Sequence, residues 1–292
     1  MKYLSARFII STAPSCMQVC KDLLADMAGE AGFESFEETG DELIGYVQTT
    51  FFDRTLLDTL IQDFPIEQTT ITYTVSEMED KDWNENWEEA GFEPISIDRR
   101  CVIYDAKHTD MATETEKSVQ DGRLRVFIEA RQAFGTGTHQ TTRMMTTALL
   151  NMDLKGKRVL DCGCGTGILA IVASRCGCSE AMGYDIDEWS VSNAMHNSVV
   201  NGVENLSVLL GDAGILTPEK GLFDVVLANI NRNILLQDMP RFVERMSGTA
   251  ILAMSGFLVE DCGLIEQKAL SLGLKRMDMQ TEDGWACMSF MR

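Results

Sequence analysis

The chain has 292 residues, a length that suggests two domains. At 45% hydrophobic and 24% charged, with only 23 Gly and 5 Pro, it has a globular composition, which excludes a collagen-like or low-complexity chain. The net charge is −20 and sits early: residues 1–90 carry 5 basic and 19 acidic side chains, a surface that repels nucleic acid and attracts a basic partner.

The opening segment MKYLSARFIIS has no apolar core of signal-peptide length, and no later run approaches the ~18 apolar residues of a membrane helix. A cytoplasmic protein with nothing cleaved and no membrane contact is expected. Residues 2–11 are strand-like. Residues 15–31 place Val19, Leu23, Leu24 and Met27 at helical spacing, and Gly29 and Gly32 end the pattern. FESFEE and DELIGYVQT flank Thr39-Gly40, a hairpin turn. Residues 54–64 form a second helix stopped by Pro65, and 69–76 a Thr-rich strand. The order β-α-β-β-α-β is the ferredoxin-like split motif, so residues 1–78 are expected to form a small α+β domain. Half of residues 77–90 are acidic, and Trp83 and Trp87 stand one helical turn apart. Residues 79–92 are expected to be an acidic linker.

Residues 93–292 are expected to form one α/β domain. CVIYDA (101–106) and LRVFIEA (124–130) are strand-like. Strands and helices then alternate: strands at 158–161, 181–185, 205–211, 223–230 and 249–256, with helices at 167–175, 188–201, 232–246 and 259–272. MDMQTED and GWACMSFMR close the chain as a β pair. Alternation of this kind builds a mostly parallel sheet, here seven-stranded, with helices on both faces.

The segment VLDCGCGTGILAI (159–171) joins strand to helix through Gly163, Gly165 and Gly167. A dinucleotide fingerprint has G-x-G-x-x-G; here the third glycine comes one residue early, and Asp161 precedes the turn. A carboxylate there is a poor neighbour for a diphosphate and a good one for an ammonium group. That combination favours S-adenosylmethionine over NAD. Asp185 ends the next strand, where an acid accepts both ribose hydroxyls. Asp212 follows the third strand, within reach of an adenine amine. Asn229 ends the fourth, where its oxygen can hold an acceptor amine; Asn is also a favoured helix cap. AFGTGTHQTTRMM (133–145) is the second unusual segment: Gly135 and Gly137 make a turn, and Thr141 and Thr142 open a helix. A loop of this kind can cover a bound cofactor. His139 within it is a candidate general base or a structural residue. The nine cysteines form no CxxC pair and the three His are far apart, so reduced thiols and no metal are expected.

Together AFGTGTHQTT, LDCGCGTGILAI, GYDID and VVLANI resemble the bacterial methyltransferases that modify the eleventh protein of the large ribosomal subunit. The resemblance spans nearly the whole chain, and the first of these motifs is its most specific part. It implies a Rossmann-like class I methyltransferase domain behind a small substrate-recognition domain. It also implies S-adenosylmethionine contacts at Thr142, Gly163, Asp185 and Asn229. The implied reaction is methylation of lysine and N-terminal α-amines of the free ribosomal protein, by a monomer that does not touch nucleic acid. Three positions depart from the family pattern: Gln140 where Pro is common, IEARQ where Pro and Gly prevail, and Asn231 where Leu is common. The alternative is a class I enzyme acting on a small molecule, with residues 1–78 serving oligomerisation.

Overall fold

The computed structural model describes residues 3–13, 16–39, 42–49, 51–66, 69–77, 91–130 and 135–292. The chain divides into two units, Met1–Asp82 and Trp83–Arg292. Gly40, Trp83, Trp87 and all but the end of the expected linker lie outside the described residues.

The first unit runs β1 (Tyr3–Ser11), α1 (Met17–Glu30), β2 (Phe33–Thr39), β3 (Glu42–Gln48), α2 (Arg54–Gln62) and β4 (Thr70–Glu77). Its sheet has the order β2-β3-β1-β4 and is antiparallel throughout, the ferredoxin-like arrangement. Strand periodicity sets the core. Ala6, Phe8 and Ile10 of β1 are buried with Leu24 of α1 and Leu57 of α2, while Ile9 between them is exposed. Asp53 starts α2 by accepting the Leu56 N–H at 3.0 Å.

The second unit opens with β5 (Ile95–Ile97), β6 (Cys101–Asp105), α3 (Met111–Asp121) and β7 (Leu124–Ile128). These strands form a separate sheet of order β5-β6-β7. Neither β5 nor α3 is marked in the sequence pattern. β5 is three residues long, and α3 buries no side chain, so it lacks the apolar stripe that announces a helix. Its ends are nonetheless coded: Asp110 caps it through the Thr113 N–H, and Gly122 closes it in the left-handed conformation.

The remainder runs α4 (Gln140–Leu150), β8 (Arg158–Cys162), α5 (Ile168–Arg175), β9 (Glu180–Asp185), α6 (Glu188–Val200), β10 (Leu206–Leu210), β11 (Phe223–Asn229), α7 (Arg232–Glu244), β12 (Met246–Leu258), α8 (Cys262–Ser271), β13 (Lys275–Glu282) and β14 (Trp285–Met291). The sheet order is β10-β9-β8-β11-β12-β14-β13, parallel except for β14, which is antiparallel to both neighbours. Both faces are covered. Val159, Val225 and Leu227 face a core shared with α4, α5 and the three-stranded sheet. Leu160, Val226 and Leu252 face Leu235, Met239 and Phe242 of α7 and Ile265 of α8. The chain works outward from β8 to β10 and then returns to β11 on the other side of β8. Ligands of open α/β sheets bind at such a reversal, beyond the carboxyl ends of the strands. Strand β12 is longer than its apolar run suggests and carries a register shift between Ser255 and Phe257. Gly256 stands at the irregularity.

Candidate active site

The glycine turn follows β8. Gly163, Gly165 and Gly167 all have positive φ, and Gly167 is the N-cap of α5. At Gly163, φ is +68°, and a Cβ would lie 2.4 Å from Ile230 Cγ2, so the turn admits only glycine there. Asp161 is 1% exposed, and its Oδ2 accepts the Ala170 N–H at 3.1 Å, which ties β8 to the first turn of α5. Burial pushes its carboxyl up to about 7. Its accepted bond in the structure thus holds the helix start.

Asp185 ends β9 with both carboxylate oxygens engaged. Oδ2 accepts the Gly165 N–H at 2.9 Å and Oδ1 the Asp187 N–H at 3.1 Å. The glycine turn and the acid are thereby locked together. Partial burial raises the Asp185 carboxyl, and these N–H groups oppose the rise. Each oxygen retains a lone pair for a further donor. Asp212 is exposed beyond β10, where its Oδ1 accepts the Gly214 N–H at 2.7 Å and caps a short 3₁₀ turn.

Asn229 ends β11. Its Nδ2 donates to Thr142 Oγ1 at 3.5 Å, joining the strand tip to the first turn of α4. Thr142 is fully buried. Asn229 Oδ1 is also buried and has no hydrogen-bond partner among the described residues. An orphaned buried carbonyl oxygen costs about 1–3 kcal/mol, so a donor reaching it would be stabilised. The structure thus brings Thr142, Gly163, Gly165, Asp185 and Asn229 to one end of the sheet.

His139 is the N-cap of α4. Its Nδ1 accepts the Thr141 N–H at 3.3 Å and lies 2.8 Å from Thr141 Oγ1. The ring stands edge-on to Trp285 at 4.8 Å between centroids. Burial, with Arg143 beside it, lowers its pKa. The loop is anchored to the β13–β14 turn. Gln140 donates to Asp283 at 3.0 Å, and Arg143 pairs with Glu282 and donates to the Thr138 carbonyl. Gln140, where the family pattern has Pro, therefore has a defined partner.

Two contributors escape the sequence reading. Thr166, inside the glycine turn, donates to the Gly135 carbonyl at 2.6 Å and so joins the two glycine-rich segments. Gly256 lies against the turn after β11: with φ +94°, its Cβ would sit 2.3 Å from the Ile230 carbonyl oxygen. The clash is with backbone, so Gly256 sets how closely the Asn229–Asn231 turn approaches β12. A glycine at the end of an apolar run is the only signal in the sequence, and it reads there as a plain strand terminator.

The strand order, its single antiparallel member and the glycine turn after β8 define a class I methyltransferase fold. A family model for ribosomal protein L11 methyltransferase (PrmA) matches residues 22–292. A relative named ribosomal protein L11 methyltransferase from Phocaeicola vulgatus is 43% identical over 291 residues, covering 100% of this chain and 99% of its own. One from Porphyromonas gingivalis is 37% identical, covering 99% and 98%. The crystal structure of a ribosomal protein L11 methylase from Lactobacillus delbrueckii subsp. bulgaricus superposes with a TM-score of 0.61 at 24% identity, over 69% of this chain and 99% of that one. The chain belongs to the ribosomal protein L11 methyltransferase family.

Proposed function

We propose that this chain transfers methyl groups from S-adenosylmethionine to lysine side-chain and N-terminal α-amines of ribosomal protein L11. The observation that carries this reading is the unpartnered Asn229 Oδ1, held beside Thr142 at the sheet reversal in a chain of that family. The residues present fit the cofactor. Asp185 has lone pairs for two ribose hydroxyls, the turn at Gly163 lets backbone approach a ligand closely, and the exposed Asp212 is assigned the adenine amine in this reading. When bound, S-adenosylmethionine supplies an electrophilic methyl group on a positively charged sulfur.

The protein's task is then placement and desolvation. A lysine amine, of ordinary pKa about 10.4, must arrive neutral. Asn229 is itself half-buried, and an amine that loses its water beside it is disfavoured in the ammonium form. Asn229 Oδ1 accepts one N–H of the neutral amine and leaves the nitrogen lone pair to point at the methyl. In this reading Thr142 accepts from Asn229 Nδ2 and leaves Oδ1 for the amine. His139 caps α4 in this reading and moves no proton. The first unit serves substrate recognition, because the acidic excess of residues 1–90 attracts a basic protein and disfavours an RNA-rich particle. Cytoplasmic residence follows from the substrate. Among the described residues no helix is long and apolar enough to cross a membrane.

The test is intact-mass spectrometry of unassembled ribosomal protein L11 after incubation with the pure protein and S-adenosylmethionine. A ladder of methyl-mass steps that vanishes with Asn229→Ala is expected. An unmodified substrate, with cofactor binding shown by calorimetry, would refute the assignment of substrate.

A further inference from the structure

Helix α6 carries Asn193 and Asn197, and Asn201 is its C-cap; the three are spaced one helical turn apart and all buried. Buried side-chain amides must be hydrogen-bonded, and the bonds these make are unusual. Asn201 Oδ1 accepts the Phe127 N–H at 2.9 Å, and its Nδ2 donates to the Phe127 carbonyl at 2.6 Å. Asn197 repeats the exchange two residues on, accepting the Glu129 N–H at 3.0 Å and donating to the Glu129 carbonyl at 3.2 Å. A residue of a paired strand makes this same two-bond exchange. β7 is an edge strand of the three-stranded sheet, and the amides of α6 satisfy it as a further strand would.

Asn201 Nδ2 also donates to the Asn197 carbonyl at 2.8 Å, whereas Asn197 donates to Asn193 Oδ1 at 3.3 Å and makes a contact outside the helix and the strand. Asn197 Nδ2 donates to the Thr166 carbonyl, inside the glycine turn, at 3.0 Å. Thr166 in turn donates to Gly135 at 2.6 Å. The fully buried Asn197 amide therefore joins the end of β7, where the Glu129 carbonyl also accepts from Asn193 Nδ2 at 2.9 Å, to the glycine turn, and Thr166 carries the link to the start of the 135–139 loop. The chain leaves Glu129 held by Asn197 and reaches Gly135 held by Thr166, so both ends of that span are referred to the glycine turn.

We propose that Asn197 is a positioning residue for methyl transfer, which sets the glycine turn against β7 and, through Thr166, places the loop that leads to Thr142. The inference rests on the reading of the site as one for S-adenosylmethionine. Asn201 supplies the comparison: it satisfies the same strand edge and touches neither glycine-rich segment.

The experiment measures S-adenosylmethionine affinity by calorimetry, and melting temperature, for the wild-type chain and for Asn197→Ala, Asn201→Ala, Thr166→Val and the Asn197→Ala/Thr166→Val pair. Both Asn variants should melt earlier. Asn197→Ala should weaken binding by about tenfold and Asn201→Ala by less than about twofold, since only the first frees a carbonyl in the glycine turn. Thr166→Val, which keeps shape and removes one donor, should also weaken binding. The double variant should be little worse than the poorer single one, because the two bonds act in series. Equal affinity losses in the two Asn variants, or additive losses in the pair, would overturn the proposal. If Asn197→Ala does not fold, the Thr166→Val result decides: unchanged affinity refutes the coupling. A wild-type chain that binds no cofactor would instead overturn the reading of the site itself.

Discussion

Gly256→Ala is the substitution whose consequences the structure specifies most closely. The added Cβ would meet the Ile230 carbonyl oxygen at 2.3 Å, its carbon at 2.8 Å and its nitrogen at 2.9 Å, at a φ of +94°. The neighbour is backbone, so no side chain can swing aside. The left-handed conformation alone costs a non-glycine residue about 1–2 kcal/mol, and forcing atoms into a packed site costs about 1–3 kcal/mol more. A loss of roughly 2–5 kcal/mol follows, and in a unit of this size the melting temperature should fall by about 5–15 °C. Relieving the contact to ordinary separation moves Ile230 by about 1 Å, and a displacement of that size at a reacting group costs about 100-fold in rate. The assay pairs thermal melting with the methyl-transfer rate at saturating substrate. Gly248→Ala is the control: it lies in the same strand, β12, and its Cβ would meet nothing within 4 Å. A Gly256→Ala protein that melts and turns over like the Gly248→Ala control would refute the argument that this glycine sets the Asn229 turn.

Two further outcomes are expected. Asp185→Ala should weaken S-adenosylmethionine binding at least about tenfold, since it removes an acceptor for ribose hydroxyls and releases the Gly165 N–H; unchanged calorimetric affinity would contradict the placement of the ribose. Asp161→Asn should change the pH dependence of stability. The folded-state carboxyl lies at about 7 against an ordinary 3.8, so its contribution is present at low pH and is lost as pH rises through that window, by about 4 kcal/mol at most. Relative to the wild type, Asp161→Asn should gain melting temperature between pH 5 and pH 8, and an equal difference at both values would show that the carboxyl is not held protonated by burial.

Local rules made much of this protein legible in advance. The β8–α5 junction is written in consecutive residues: an apolar strand, three glycines for positive φ, then a helix. Asp185 and Asn229 close apolar runs, which places them at the carboxyl ends of their strands, and the ferredoxin-like order of the first unit follows from alternating strand and helix patterns. Tertiary structure decided what depends on residues distant in the chain. Asn197, Asn201 and Thr166 are polar residues with no pattern of their own beyond helical spacing. Their meaning comes from backbone groups of Phe127, Glu129 and Gly135 that only packing brings within 3 Å or so. Asp161 is legible as an acid before the glycine turn, and the tertiary structure adds its burial and its bond from the Ala170 N–H, which holds a helix start. Gly256 looks like any strand terminator until the Ile230 carbonyl is seen against it. The sequence by itself determined most of the elements and their order, β5 and α3 excepted, because backbone conformation and apolar periodicity act over a few residues. Only the tertiary structure decided which polar atoms find partners and which, like Asn229 Oδ1, are buried without one among the described residues, because hydrogen bonds between distant elements form only once the cores beneath them have packed.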